Sequence, residues 1–389
     1  MRIPYRLLVV PAAVLMAMCL GSTYAWSAFV QPIKDATGVD QARAQFPFSV
    51  FYFVFPLTAL LQGFLPARVS PRLRAVVGGL LFGGGWVFAG LGGPDMRLTI
   101  AGVGVIGGVG VGLAYLVPIA TCIAWFPRHK GLVTGIAIAG FGGGAALVGR
   151  LADGMIAGSG MSPYAALRLF GVSFALLIGL AALTMRRPDE AAEAHAAPLP
   201  WRSFLGAPAF WLLYATFFAG LAAGLGVNGN LKHLAAGGAA ASGAAPIAWF
   251  ALANAAGRIL WGRLSDRVAP VPVLAANLVV TAALFGAASF VLGAPGGVGI
   301  FAALAGFDYG GVLVLHPTLV ARQWGRADLM RIYGVLFTAN IPAAVMPAAA
   351  GWAYERTGSF VAPLGVLAAL LVAAALALRR FRSHLTLPH

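Results

Sequence analysis

The stretch Pro118-Ile119-Ala120-Thr121-Cys122-Ile123-Ala124-Trp125 has a counterpart 199 residues later, Pro317-Thr318-Leu319-Val320-Ala321-Arg322-Gln323-Trp324. Each closes a long apolar run, and each sets Pro and Trp at the same spacing. The same offset pairs Gly21 with Gly220, Gly63 with Gly262 and Gly135 with Gly334. Glycine is common in this chain, so the rarer Pro and Trp carry the inference of two similar, parallel halves.

Outward from these stretches, apolar runs of the length needed to cross a hydrocarbon core of about 30 Å, at about 1.5 Å per residue, fall at 7–29, 45–65, 74–93, 98–125, 131–151, 165–185, 208–231, 244–262, 270–292, 297–320, 332–353 and 359–378. The expected fold is all-α and membrane-integral, with twelve transmembrane helices in two pseudo-symmetric six-helix bundles. Composition agrees. The 389 residues are 60% hydrophobic and 10% charged, against about 25% charged in a soluble domain, and the mean hydropathy is +0.87. The 52 glycines and 24 prolines suit helices that approach closely or break inside a bilayer. The apolar run after Arg2 and Arg6 continues through Trp26 to Phe29, long enough for an uncleaved first helix. Cys19 and Cys122 sit in apolar runs without metal-ligand or disulfide spacing.

The net charge of +15 does not indicate nucleic acid, because the basic residues lie in short clusters between apolar runs. Eighteen of the 26 Lys and Arg fall on the side that both termini share and seven on the other, with Arg258 left inside a helix. The positive-inside bias therefore places both termini in the cytoplasm of an inner-membrane protein. Arg186 to Ser203 is the one clearly polar stretch. It divides the chain into a bundle at 1–187, a cytoplasmic linker at 188–203 and a second bundle at 204–389.

Gly262-Arg263-Leu264-Ser265-Asp266-Arg267 at the end of the eighth segment resembles the loop signature G-x-L-x-D-R of the major facilitator superfamily. Gly262, Asp266 and Arg267 are the gating residues this implies. The first-half equivalent begins at Gly63 and carries Ala67 where the signature has Asp. A narrower resemblance is to the oxalate:formate antiporter family. It rests on Gly21-Ser22-Thr23-Tyr24-Ala25-Trp26-Ser27-Ala28-Phe29, on Trp125 to Gly135, on Asn254-Ala255-Ala256-Gly257-Arg258 and on Tyr333 to Ala339. That family moves small carboxylates, and its members use the arginine of helix 8 as a substrate ligand. Those that carry the dianion oxalate have a Lys after the Tyr-Thr-Ala segment of helix 11, where this chain has Asn340.

Read on its own chemistry, Arg258 lies eight residues, or about 12 Å, from Asp266 at the helix end, close to mid-membrane. An arginine there is costly and should face a cavity or a partner. Its guanidinium fork suits a carboxylate. Asn254 precedes it by one turn on the same face. Aromatic groups on other segments, Tyr24, Trp26, Tyr115 and Tyr309, are expected to wall the substrate and donate to it. Arg258 balances one negative charge, and Asn340 adds none. The expectation is therefore a monocarboxylate such as lactate, pyruvate or formate. Asp308 and His316 are the candidates for proton coupling; each has an alternative reading as a pairing or backbone-satisfying group.

No phosphate-binding loop, catalytic constellation or metal-binding spacing occurs in the sequence, so neither an enzyme, a cofactor nor a metal is expected. The expected function is secondary transport of a small carboxylate by alternating access, as proton symport or anion exchange, in a monomer surrounded by membrane lipid. A neutral or amphiphilic solute is the alternative within transport, and a non-transporting membrane sensor the alternative outside it.

Overall fold

A computed structural model describes residues 5–65, 69–186, 188, 199–236 and 244–380; Ala67 and most of the linker lie outside them. Among the described residues, ten helices are long and apolar enough to cross a membrane. In the first half they are α1 (Tyr5–Thr37), α2 (Arg43–Phe64), α3 (Pro71–Gly92), α4 (Met96–Trp125), α5 (Lys130–Gly158) and α6 (Pro163–Ala182). In the second they are α7 (Pro208–Ala236), α10 (Gly297–Gln323), α11 (Leu329–Tyr354) and α12 (Val361–Arg380), with the shorter apolar α9 (Pro270–Gly286). The remaining expected segment is α8 (Ala244–Arg267), made less apolar by Arg258, Arg263, Asp266 and Arg267.

Several of these helices are broken, and proline explains where. A proline inside a helix lacks the N–H that would bond to the carbonyl four residues back, and its ring collides with that carbonyl. Pro118 accounts in this way for the interruption between Gly107–Ala114 and Leu116–Trp125 in α4. Pro342 and Pro347 act likewise in α11, built from Leu329–Phe337, Asn340–Ala343 and Met346–Thr357, the last continuing three residues past the apolar span, with turns at Thr338–Ala339 and Ala344–Val345. The uninterrupted segment expected at 332–353 is thus three short helices. α1 tightens into a 3-10 turn at Ser22–Trp26, and α4 widens into a π-helix at Ile100–Ile106, a rare geometry often found near functional sites.

The chain forms two compact units. One comprises residues up to Pro127 and Ile136–Ala196; the other comprises Arg128–Gly135 and residues from Ala197 onward. The first turn of α5 thus groups with the second unit. Within each unit the same pairings recur. α3 lies against α6 and α2 against α4 in the first; α9 lies against α12 and α8 against α10 in the second. The α8–α10 contact positions the site. A Cβ at Gly257 would collide with the Phe307 carbonyl oxygen, and one at Gly310 would collide with the Asn254 carbonyl oxygen. Bare glycine backbone on both helices permits this approach, as is usual for helices packed in lipid.

Candidate functional site

In the second unit, α8 carries Asn254 and Arg258 one turn apart, both buried and only 7% and 8% exposed. Asn254 donates from its side-chain amide to the Gly306 carbonyl on α10, at 3.1 Å. That bond uses one of the two amide N–H donors to hold α8 to α10. Arg258 lies in the same contact, its backbone nitrogen beside Gly310 and its carbonyl beside Gly135 at the start of α5. The arginine is therefore fixed at backbone level by two helices.

Asn340 is buried immediately after the first break in α11, and its amide donates to the Phe337 carbonyl at 2.9 Å. Thr338, in the break itself, lies 3.2 Å from the Tyr214 hydroxyl on α7. Interrupted membrane helices expose backbone groups where substrates bind, and this break brings a hydroxyl pair and an amide into one short stretch.

The three candidates on α10 point in different directions. Tyr309 turns toward α7, where a Cβ at Gly224 would collide with its ring, and it lies 6.1 Å from the Phe250 ring. Asp308 is 1% exposed and turns toward α9. Asn277 donates to its backbone carbonyl at 2.9 Å, and Thr281 and Trp261 flank its carboxyl group. Its Oδ1 has no hydrogen-bond partner among the described residues. His316 is wholly buried. Its Nδ1 lies 2.8 Å from the Val312 carbonyl and its Nε2 lies 3.1 Å from the Thr216 hydroxyl. A carbonyl can only accept, so Nδ1 donates to Val312, while the Thr216 hydroxyl lies within reach of both His316 Nε2 and the Leu213 carbonyl, each at 3.1 Å. Both nitrogens are engaged by uncharged partners, an arrangement that suits a fastening between α7 and α10.

In the first unit, Tyr24 is 39% exposed and lies edge-on to Phe48, Tyr52 and Phe141, with centroids 6.1, 6.0 and 6.5 Å away. Buried Tyr115 lies edge-on to the same Phe141 and to Phe55, both at 5.2 Å. Tyr24 and Tyr115 thus belong to one aromatic cluster, built from α1, α2, α4 and α5. Trp26 does not join it. The indole is 1% exposed, stacks on Phe29 at 5.9 Å and donates to the Ala44 carbonyl at 3.0 Å. Phe48, Tyr52 and Phe55 were absent from the sequence-derived set. Their helical spacing along α2 was the signal that identifies them.

At the end of α8, both Asp266 carboxylate oxygens accept backbone N–H groups from the first turn of α5: Oδ1 from Gly131 at 2.8 Å and Oδ2 from Leu132 at 2.9 Å. The carboxylate sits at the positive end of the helix dipole and satisfies two otherwise orphaned donors. Arg322, also unforeseen, pairs with Asp266 at 3.5 Å and donates to the Ser265 carbonyl at 2.8 Å. Gly262 and Gly131 meet backbone to backbone, where neither could bear a Cβ. Arg267 is exposed at the same helix end.

Two bundles of membrane-spanning helices, a buried mid-helix arginine and a carboxylate-capped loop define a polytopic secondary transporter. The sequence matches the Major Facilitator Superfamily over residues 12–236, and the chain belongs to that superfamily. The oxalate:formate antiporter of Oxalobacter formigenes is 27% identical over 343 residues, covering 86% of this chain and 81% of that one. Apicoplast pyruvate carrier 1 of Toxoplasma gondii is 27% identical over 375 residues, covering 76% of this chain and 65% of that one. Among solved structures, the transporter FucP in its outward conformation superposes with a TM-score of 0.75 at 14% identity, covering 97% of this chain and 99% of that one. This likeness extends to the fold.

Proposed function

We propose that this chain carries small carboxylate anions across the inner membrane by alternating access, that both its termini are cytoplasmic, and that Arg258 is the anion-binding group. The observation that carries the reading is an arginine buried in the middle of α8, where bare glycine backbone brings that helix against α10. Such a charge is expensive in a bilayer unless it has work to do, and a planar two-pronged donor matches a carboxylate. Relatives named for oxalate, formate and pyruvate support the same class of solute. The buried neutral Asn340 favours a monocarboxylate, because one fixed cation balances one negative charge and a dianion would be left half compensated in a medium of low dielectric.

Asn254, Asn340, Tyr309 and the hydroxyls of Tyr24 and Tyr115 are the groups proposed to orient the anion. Trp26 is assigned to packing. The Arg258–carboxylate pair is compatible with both anion exchange and proton symport, and Asp308 is the carboxyl proposed to take the proton in the second case. Binding is tested by the thermal stability of the purified protein. A ligand that binds only the folded state raises the melting temperature with its concentration. Formate, lactate or pyruvate is expected to raise it in the wild type but not in Arg258→Ala. An equal effect of sodium chloride, or an equal response from the variant, would contradict the reading.

A further inference from the structure

The far end of the linker is held to α11 by contacts that the transport site does not use. Asp328 occupies the N-cap position of α11, where an aspartate normally accepts from an amide of its own first turn. It makes no such bond. Its buried carboxylate accepts instead from the Leu199 amide, at 3.3 and 3.4 Å to its two oxygens. Arg331, one turn further into α11, donates to the Leu199 carbonyl. The same guanidinium lies 4.1 Å from the centre of the Trp201 ring. Trp201 opens a short helix (Trp201–Leu205) and rests on Phe204, which in turn meets Phe210 at the start of α7. Both polar groups of the Leu199 backbone are thus engaged by charged side chains, the stronger class of hydrogen bond.

The duplication shows why α11 is a special case. The 199-residue offset pairs Asp266 with position 67 and Leu132 with Arg331. Asp266 caps the first turn of α5, but Ala67 has no carboxylate to offer in the equivalent role. The linker also supplies the covalent connection between the halves, and Leu199 and Trp201 are the points at which its far end is held to α11.

We propose that Leu199–Trp201 is a latch that fastens the linker to the start of α11, and that its release limits the rate of the transport cycle. The proposal holds whichever solute is carried. It is tested in the full-length protein with Leu199→Cys, which leaves the backbone bonds in place; the native Cys19 and Cys122 are buried. Labelling by a membrane-impermeant maleimide is expected to be slow in this parent. It should accelerate about 10-fold when Arg331→Gln or Trp201→Ala is added, the scale of a lost charge-assisted bond. Asp328→Asn keeps an acceptor and Trp201→Phe keeps a ring, so both should label near the parent rate, whereas Asp328→Ala should label fast. In liposomes, the fast-labelling variants should show a raised maximal uptake rate with KM unchanged. Equal labelling of all variants would overturn the latch. Faster labelling with an unaltered uptake rate would overturn its role in the cycle. Because labelling needs no substrate, failure of the latch is distinguishable from failure of the carboxylate assignment.

Discussion

In the proposed transport mechanism, Arg258 on α8 supplies one fixed cation and Asn340 on α11 adds none. Placing a cation at the second position tests this assignment. Asn340→Lys should move preference from monocarboxylates toward oxalate, changing the ratio of their kcat/KM values by about 10-fold or more, since charged hydrogen bonds contribute about 1.5–3 kcal/mol. Competition between labelled formate and oxalate measures the ratio, and an unchanged ratio would remove Asn340 from the account. The burial of Arg258 was legible in the sequence, because a lone arginine in an apolar run has few inexpensive placements. Trp26 was less legible. It stands in a stretch resembling a substrate-transport family, but its indole bonds to Ala44 and stacks in the core, and sequence cannot show which way a helical side chain turns. Asp308 and His316 illustrate the same limit, lying on one helix yet turned toward different neighbours.

At the level of elements, the α8–α10 contact depends on the missing side chains of Gly257 and Gly310. Gly257→Ala should separate the two helices, destabilise the protein by about 1–3 kcal/mol as overpacking does, and reduce carboxylate binding by displacing Arg258. Gly286→Ala is the control, since a Cβ there meets open space. Thermal melting should separate the two variants, and equal melting temperatures would contradict the packing argument. The latch at α11 carries a pH signature. Burial pushes the Asp328 carboxyl above its ordinary value of 3.8, against the opposing pull of the Leu199 amide and Arg331. A carboxyl raised on folding contributes stability below the unfolded value and loses it as pH rises through the folded one. Wild type and Asp328→Asn should therefore melt alike below the ordinary carboxyl value, and the wild type should fall below the variant as pH rises above it. A wild type that gains on the variant over that range would reverse the sign. The three-part character of α11 was written in Pro342 and Pro347, but a hydropathy-based reading joins 332–353 because every piece is apolar.

For the whole molecule, the duplication was legible in the Pro and Trp pairs at one offset, and the recurring pairings of α2 with α4 and α8 with α10 agree with it. The aromatic cluster and the latch were not legible, because they join residues distant in the chain whose contact depends on how the helices turn. The central claim is that this superfamily member moves a monocarboxylate through Arg258. The direct test is uptake of labelled formate, lactate, pyruvate and oxalate into proteoliposomes by wild type, Arg258→Lys and Arg258→Ala, with and without an inward proton gradient. The account predicts that the wild type takes up at least one monocarboxylate faster than oxalate. Arg258→Lys should lose about 10-fold or more with the guanidinium fork, and Arg258→Ala should be reduced to the level of empty liposomes. Stimulation by the gradient would identify symport; dependence on a counter-anion inside would identify exchange. Uptake of no acid by the wild type, or undiminished uptake by Arg258→Ala, would contradict the claim.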